Sequence, residues 1–297
     1  MKLGRFRLGL ARLFLERSQR KGRKHQPSLA KYQNFMDVSL KNGAKDHFCY
    51  DVILADKENS KGITLIDIHG GAYVTATRKN NHGFIEYFLK KGFDTVLLDY
   101  PLNDGKRGVD DQFAAIVDEF NHLVQNIEKY GLSKKVFVTG DSAGGHFALL
   151  LAEALCDPKL AKTFGLHPGD LQMCGVLANC PVYDFERIGY LMPMTKNAQK
   201  RLFGPLYLNP EKTALYSPKA NLESLNCPVF LSSCKRDFLL GEYQSFCQDA
   251  KNLKKNLTVV FIDEDNPKVG HVHNILDVSD SFAIEVNDAM VAFMERN

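Results

Sequence analysis

From about residue 48 onward, short apolar runs alternate with longer segments whose apolar residues recur every three or four positions. The runs predict strands at 48–54, 63–68, 95–99, 136–139, 174–178, 229–232 and 257–262. The helical spacing predicts helices at 82–91, 110–130, 144–155, 242–253 and 279–295. Several strands, such as Ile63 to Ile68, are too continuously apolar to have a wet face. A mainly parallel sheet covered by helices on both sides follows from this alternation.

Two regions break the rhythm. In the first 46 residues, Leu3, Phe6, Leu10, Leu13 and Phe14 recur at helical spacing among basic residues, which predicts an amphipathic helix. The second region runs from 181 to 218 and carries Tyr183, Phe185, Ile188, Tyr190, Leu191, Met192 and Met194 in its first half. A stretch of that length between strands has structure of its own, often as a lid. Residues 1–46 are therefore read as a basic amphipathic segment, and 47–297 as one α/β domain with an insertion at about 181–218.

Composition narrows the class. The chain has 297 residues, 44% hydrophobic and 25% charged, with a net charge of +3, ordinary values for a folded protein and too little charge to argue for nucleic acid. The charge is uneven: residues 1–24 hold nine Lys or Arg against the single acid Glu16. Such a helix can pack on its own protein or lie on anionic lipid. Arginines at 5, 7 and 12 interrupt any secretory apolar core, and the seven scattered cysteines lack a CxxC pair. Both point to a cytoplasmic protein with reduced thiols.

Between a strand and a helix lies Gly140-Asp141-Ser142-Ala143-Gly144, which fits G-x-S-x-G. An ordinary tight turn would also fit. A nucleophilic serine, however, needs a base and an acid that orients it, in the chain order Ser, Asp or Glu, His. Asp237 lies just past the strand 229–232, and His271 lies past the strand 257–262. Three reactive side chains thus fall at carboxyl ends of strands, where open α/β sheets place their ligands. His273 is an alternative base, and the His271/His273 pair an alternative metal-binding pair that lacks a third ligand nearby. Asp263, Glu264 and Asp265 read as solvated. Upstream, His69-Gly70-Gly71 follows a buried strand. Backbone N–H groups of Gly70 and Gly71, with that of Ala143, would form an oxyanion hole.

Taken jointly, His69-Gly70-Gly71, the run Gly140 to Gly145, Asp237-Phe238-Leu239 and a late histidine resemble the hormone-sensitive-lipase-like esterases and lipases of the α/β-hydrolase superfamily. Asp99-Tyr100 matches the start of another segment of that family, and Asp118 falls where its members often place an acid. The resemblance covers residue 48 to the C-terminus. It implies a three-layer fold with a small helical cap, formed by the N-terminal segment and the 181–218 insertion over the acyl pocket. Expected pocket residues are Tyr73, Asp141, Tyr183, Phe185 and Leu191. There are departures: Ala72 stands where many members have a third glycine, residues 101–108 replace most of the family's next motif, and His273 replaces an aromatic.

The expected function is a serine hydrolase of short- to medium-chain carboxylic esters, with Ser142, His271 and Asp237 catalytic and no cofactor or metal. An amidase, formamidase or peptidase would use the same machinery. A non-catalytic small-molecule-binding protein would be expected to lack a member of the triad. The expected partner is a small-molecule ester and not nucleic acid. Contact with a membrane surface through the basic N-terminus, and a homodimer, are left open.

Overall fold

A computed structural model of the protein describes residues 26–40, 48–104, 107–185, 187, 203–204, 207 and 209–297. Eight strands form one sheet: β1 Asn34–Ser39, β2 Cys49–Ile53, β3 Thr64–Ile68, β4 Asp94–Leu98, β5 Lys135–Asp141, β6 Gln172–Asn179, β7 Val229–Cys234 and β8 Leu257–Ile262. Their order across the sheet is β1-β2-β4-β3-β5-β6-β7-β8. β2 pairs antiparallel with both β1 and β4, and every pairing from β4 through β8 is parallel. Helices among the described residues are α1 His82–Lys90, α2 Val109–Tyr130, α3 Ala143–Cys156, α4 Pro158–Phe164, α5 Pro210–Leu215, α6 Leu240–Asn252, α7 His273–Leu276 and α8 Ser281–Arg296.

Side chains alternate between two apolar layers, as the period of two in a strand requires. Ile66 and Ile68 of β3, Val136 and Val138 of β5, and Val229 and Leu231 of β7 face a core shared with Phe113, Ile116 and Phe120 of α2 and Phe147 and Leu151 of α3. Leu65, Phe137 and Phe230 face the opposite core, with Phe84 and Phe88 of α1 and Met290 and Phe293 of α8. Each of these large side chains contributes ~1.5–3 kcal/mol on burial. Two cores on one sheet give three layers, with helices on both faces as the alternation predicts.

The sheet begins earlier than expected. Residues 34–39, assigned above to a cap-forming segment, form edge strand β1. None of its residues is buried, its register shifts between Phe35 and Val38, and Asp37 has φ 53°, so no clean alternation marks it in the sequence. The expected amphipathic N-terminal helix lies outside the described residues, as do Leu191 and half of the 181–218 insertion. Among the described residues, no helix is long and apolar enough to cross a membrane.

Because β3 and β5–β8 run in one direction, the segments after them gather at one edge of the sheet. Those segments carry His69–Gly71, Ser142, Cys180, Asp237 and His271.

Candidate active site

Ser142 joins β5 directly to α3 at φ 53° and ψ −116°, a backbone conformation that non-glycine residues rarely adopt. The turn is tight enough that a Cβ on Gly144 would stand 2.0 Å from the Ile68 carbonyl oxygen, so strand and helix approach only because that residue is glycine. The Ser142 N–H donates to the Asn179 carbonyl at 2.9 Å, tying the elbow to the end of β6.

The hydroxyl of Ser142 lies 2.8 Å from His271 Nε2, and His271 Nδ1 lies 2.8 Å from Asp237 Oδ1. An ionised carboxylate only accepts, so Nδ1 carries the hydrogen and Nε2 is left to accept from the serine. Asp237 is nearly buried and also accepts from the Leu239 N–H and the Ser233 hydroxyl, each at 3.0 Å. Burial alone would push its carboxyl up. The hydrogen bond and charge of His271, with the Leu239 N–H, outweigh that and hold it below the usual carboxylate range. His273 is not part of this chain. It is buried, neither ring nitrogen has a hydrogen-bond partner among the described residues, and burial pushes its imidazole down.

One group of metal-type donors occurs among the described residues: Cys180 Sγ, an Asp237 oxygen and a His271 nitrogen lie within 4.8 Å of one another. His273 is not a member of this group.

The glycine turn after β3 is braced from below. Asp141 Oδ1 accepts from the Gly70 N–H at 2.8 Å and from Asn81 Nδ2 at 3.0 Å. The Gly70 amide, expected in the oxyanion hole, is already spent, and Asp141, expected in the pocket, holds the turn. Gly71 has φ 130°, and a Cβ there would meet the Thr75 carbonyl oxygen at 2.0 Å. No hydrogen bond among the described residues takes up the N–H of Gly71, Ala72 or Ala143. Ala72 has φ 51°, a conformation in which a glycine is more comfortable.

His69 anchors the same turn. Its Nδ1–H donates to the Gly70 carbonyl at 2.7 Å, the far end of the peptide group that carries the Gly71 N–H. Its Nε2 faces Asp99 Oδ1 at 2.9 Å, and its ring stacks on Tyr100 with centroids 4.2 Å apart. Asp99 is held in turn by Arg78 Nη1 at 3.0 Å, and Arg78 Nε lies 2.9 Å from Asp51. The helical acid near Asp99 is Glu119, whose carboxylate accepts the Asp99 N–H at 2.9 Å; Asp118, the residue expected there, is exposed.

The aromatic residues expected to line the pocket are packed interior. Tyr73, Tyr183 and Phe185 are all at most 1% exposed. Tyr73 meets Phe147, Phe185 and Phe203 edge-on, and Tyr183 packs on Phe246. Aromatic residues beside a glycine turn look alike in sequence whether they line a cavity or fill it. Sequence reasoning also missed His146. The Tyr216 carbonyl can only accept, so His146 donates to it from Nε2 at 2.6 Å and takes the Tyr73 hydroxyl at Nδ1, at 3.0 Å. Burial lowers its pKa to about 4, so the ring is neutral and ties α3 to the end of the insertion, just past α5. Phe238, 56% exposed, leans on the His271 ring with centroids 4.4 Å apart.

A family model described as BD-FAE matches residues 50–273. No curated protein matches the chain. Among solved structures, esterase B from Lactobacillus rhamnosis is 18% identical, with a TM-score of 0.87 over 99% of this chain and 95% of that one. A structure of that esterase inhibited by a tributyrin phosphonate is 19% identical, with a TM-score of 0.87 over 100% of this chain and 96% of that one. A bacterial heroin esterase is 16% identical, with a TM-score of 0.67 over 91% of this chain and 86% of that one. At these identities the structures speak for the α/β-hydrolase fold.

Proposed function

The chain belongs to the BD-FAE family, and from that premise we propose that it is a serine hydrolase of carboxylic esters. The observation that carries the proposal is the continuous hydrogen-bonded chain from Ser142 through His271 to Asp237. That its structural neighbours are esterases supports the ester as substrate.

In the proposed reaction His271 Nε2 takes the Ser142 proton as Oγ attacks the ester carbonyl. The electron pair displaced onto the carbonyl oxygen is met by N–H donors. Gly71 and Ala143 fill this role, joined by Ala72 in place of the spent Gly70 amide. Donors fixed before the reaction stabilise the charge as it develops, at ~3–4 kcal/mol for a single donor. Collapse of the intermediate breaks the bond to the alcohol, which leaves with the proton held on Nε2. Water then repeats the sequence on the acyl-enzyme and releases the acid. Asp237 stays ionised and holds the ring in the tautomer that leaves Nε2 free. Acyl groups of short to medium length are the proposed substrates, and the tributyrin phosphonate on the esterase B neighbour is in keeping with them.

The test is turnover of nitrophenyl esters from acetyl to palmitoyl, combined with fluorophosphonate labelling. Hydrolysis of the shorter esters and a label on Ser142 are expected. Absence of ester turnover, or a label elsewhere, would overturn the reading.

A further inference from the structure

At the end of β6, two adjacent residues touch all three loops of the Ser–His–Asp chain. The Asn179 carbonyl takes the Ser142 N–H at 2.9 Å. The next residue, Cys180, turns through a left-handed backbone (φ 46°), anchored by its N–H to the Ser232 carbonyl at 2.9 Å. Its sulfur accepts the Val272 N–H at 3.4 Å and lies beside the Asp237 carboxylate and the His271 ring, all within 4.8 Å. Val272 follows the base directly and is itself left-handed at φ 53°, an uncomfortable state for a β-branched residue. Something must hold it there.

Resting on the ester-hydrolase reading above, we propose that Cys180 is a positioning residue of the triad. Its S–H hydrogen-bonds the Asp237 carboxylate while its sulfur takes the Val272 N–H, so one side chain fixes the separation of the acid loop from the base loop. At 1% exposure, no water replaces it in either bond. Burial pushes the thiol well above its ordinary range, so it keeps its hydrogen and remains a donor. The bond to Cys180 is in turn among the influences that hold the Asp237 carboxyl low. The carboxylate is thereby oriented on four sides, by His271, Leu239, Ser233 and Cys180. The base loop is fastened one residue away from the imidazole. Neither the chain order nor the residue type of Cys180 marks this role; the contact exists only because β6 lies between β5 and β7 in the sheet.

The test compares Cys180→Ala with Cys180→Ser. The two side chains differ only by an oxygen, so the pair isolates hydrogen bonding from bulk. Steady-state kinetics on a nitrophenyl butyrate would be run beside thermal unfolding and proton NMR of the far-downfield Nδ1–H of His271. The alanine variant is expected to lose about 10- to 100-fold in kcat at nearly unchanged KM, the range of one hydrogen bond to a charged group. Its downfield resonance should broaden or shift. The serine variant should regain most of kcat and the resonance. Equal kcat in wild type and alanine variant would overturn the proposal. So would equal losses in both variants with a common drop in melting temperature, which is the signature of packing alone. Should the alanine variant fail to fold, Cys180→Gly suits the left-handed backbone and makes the same comparison. Wild-type and Ser142→Ala controls separate the two failures: an inactive wild type sinks the hydrolase reading, whereas an active wild type matched by the alanine variant sinks only this inference.

Discussion

Replacing His69 by phenylalanine would keep a ring stacked on Tyr100 and delete two hydrogen bonds, one to the Gly70 carbonyl at 2.7 Å and one to Asp99 at 2.9 Å. Asp99 would keep Arg78 at 3.0 Å and its neighbour's N–H at 2.9 Å, so its charge would not be orphaned. Among the described residues, the Gly70 carbonyl would keep only the Tyr100 hydroxyl, at 3.5 Å. The two bonds together are worth about 2–4 kcal/mol of stability. The effect on catalysis comes through the peptide group: once its carbonyl end is loose, the Gly71 N–H is no longer aimed in advance. Full loss of one oxyanion donor costs about 10²–10³ in kcat and sets the ceiling. A donor that tilts without disappearing should cost about 10- to 100-fold. Because the oxyanion exists only in the transition state, KM should hardly move. Initial rates over a range of nitrophenyl butyrate concentrations, with urea unfolding alongside, measure both quantities. A kcat within about twofold of wild type in a destabilised variant would show that His69 does not aim the peptide. A raised KM at constant kcat would place its effect in ground-state binding. Either result refutes the reasoning.

Ser142→Ala should abolish ester turnover while the unfolding transition stays cooperative, because the substitution leaves the elbow backbone free to fold; retained turnover would remove the nucleophile from the mechanism. His271→Ala should cost at least about 10⁴ in kcat. His273→Ala should lower stability by about 1–3 kcal/mol through lost burial with kcat nearly intact, and paired kinetics and melting curves tell the two apart. Burial is the main cause that raises Glu242 from its ordinary 4.5 to about 7. Its folded form therefore binds a proton more readily than the unfolded chain does, and stability should fall as pH rises from about 4.5 to about 7, by no more than ~3 kcal/mol. Glu242→Gln should flatten that slope in urea titrations at several pH values; an unchanged slope would acquit Glu242.

What the chain discloses by itself depends on whether a feature is local. The strand–serine–helix junction is local, and the three residues read from chain order are the three that meet, because each follows a strand (β5, β7 or β8) whose apolar run stands out in the sequence. β1 escapes notice because an edge strand with one left-handed residue has no regular alternation. The choice between Asp118 and Glu119 is one of helical phase: neighbours on a helix point about 100° apart, and only packing says which one faces the sheet. The Gly70 amide is misread for another reason. Its acceptor, Asp141, is 71 residues away, and nothing in a Gly-Gly pair reveals which of its N–H groups the fold has already engaged.

β3 and β5 are neighbours, and Ile68 is the register partner of Gly140. The turn that presents the amides and the elbow that presents the hydroxyl are therefore two exits from one ladder. Lengthening either strand by a single residue would slide one exit about 3.3 Å past the other and turn its side chains to the opposite layer. Heritable change in such a chain is free to remodel whatever roofs the site, but at its floor the two strands can be altered only in step.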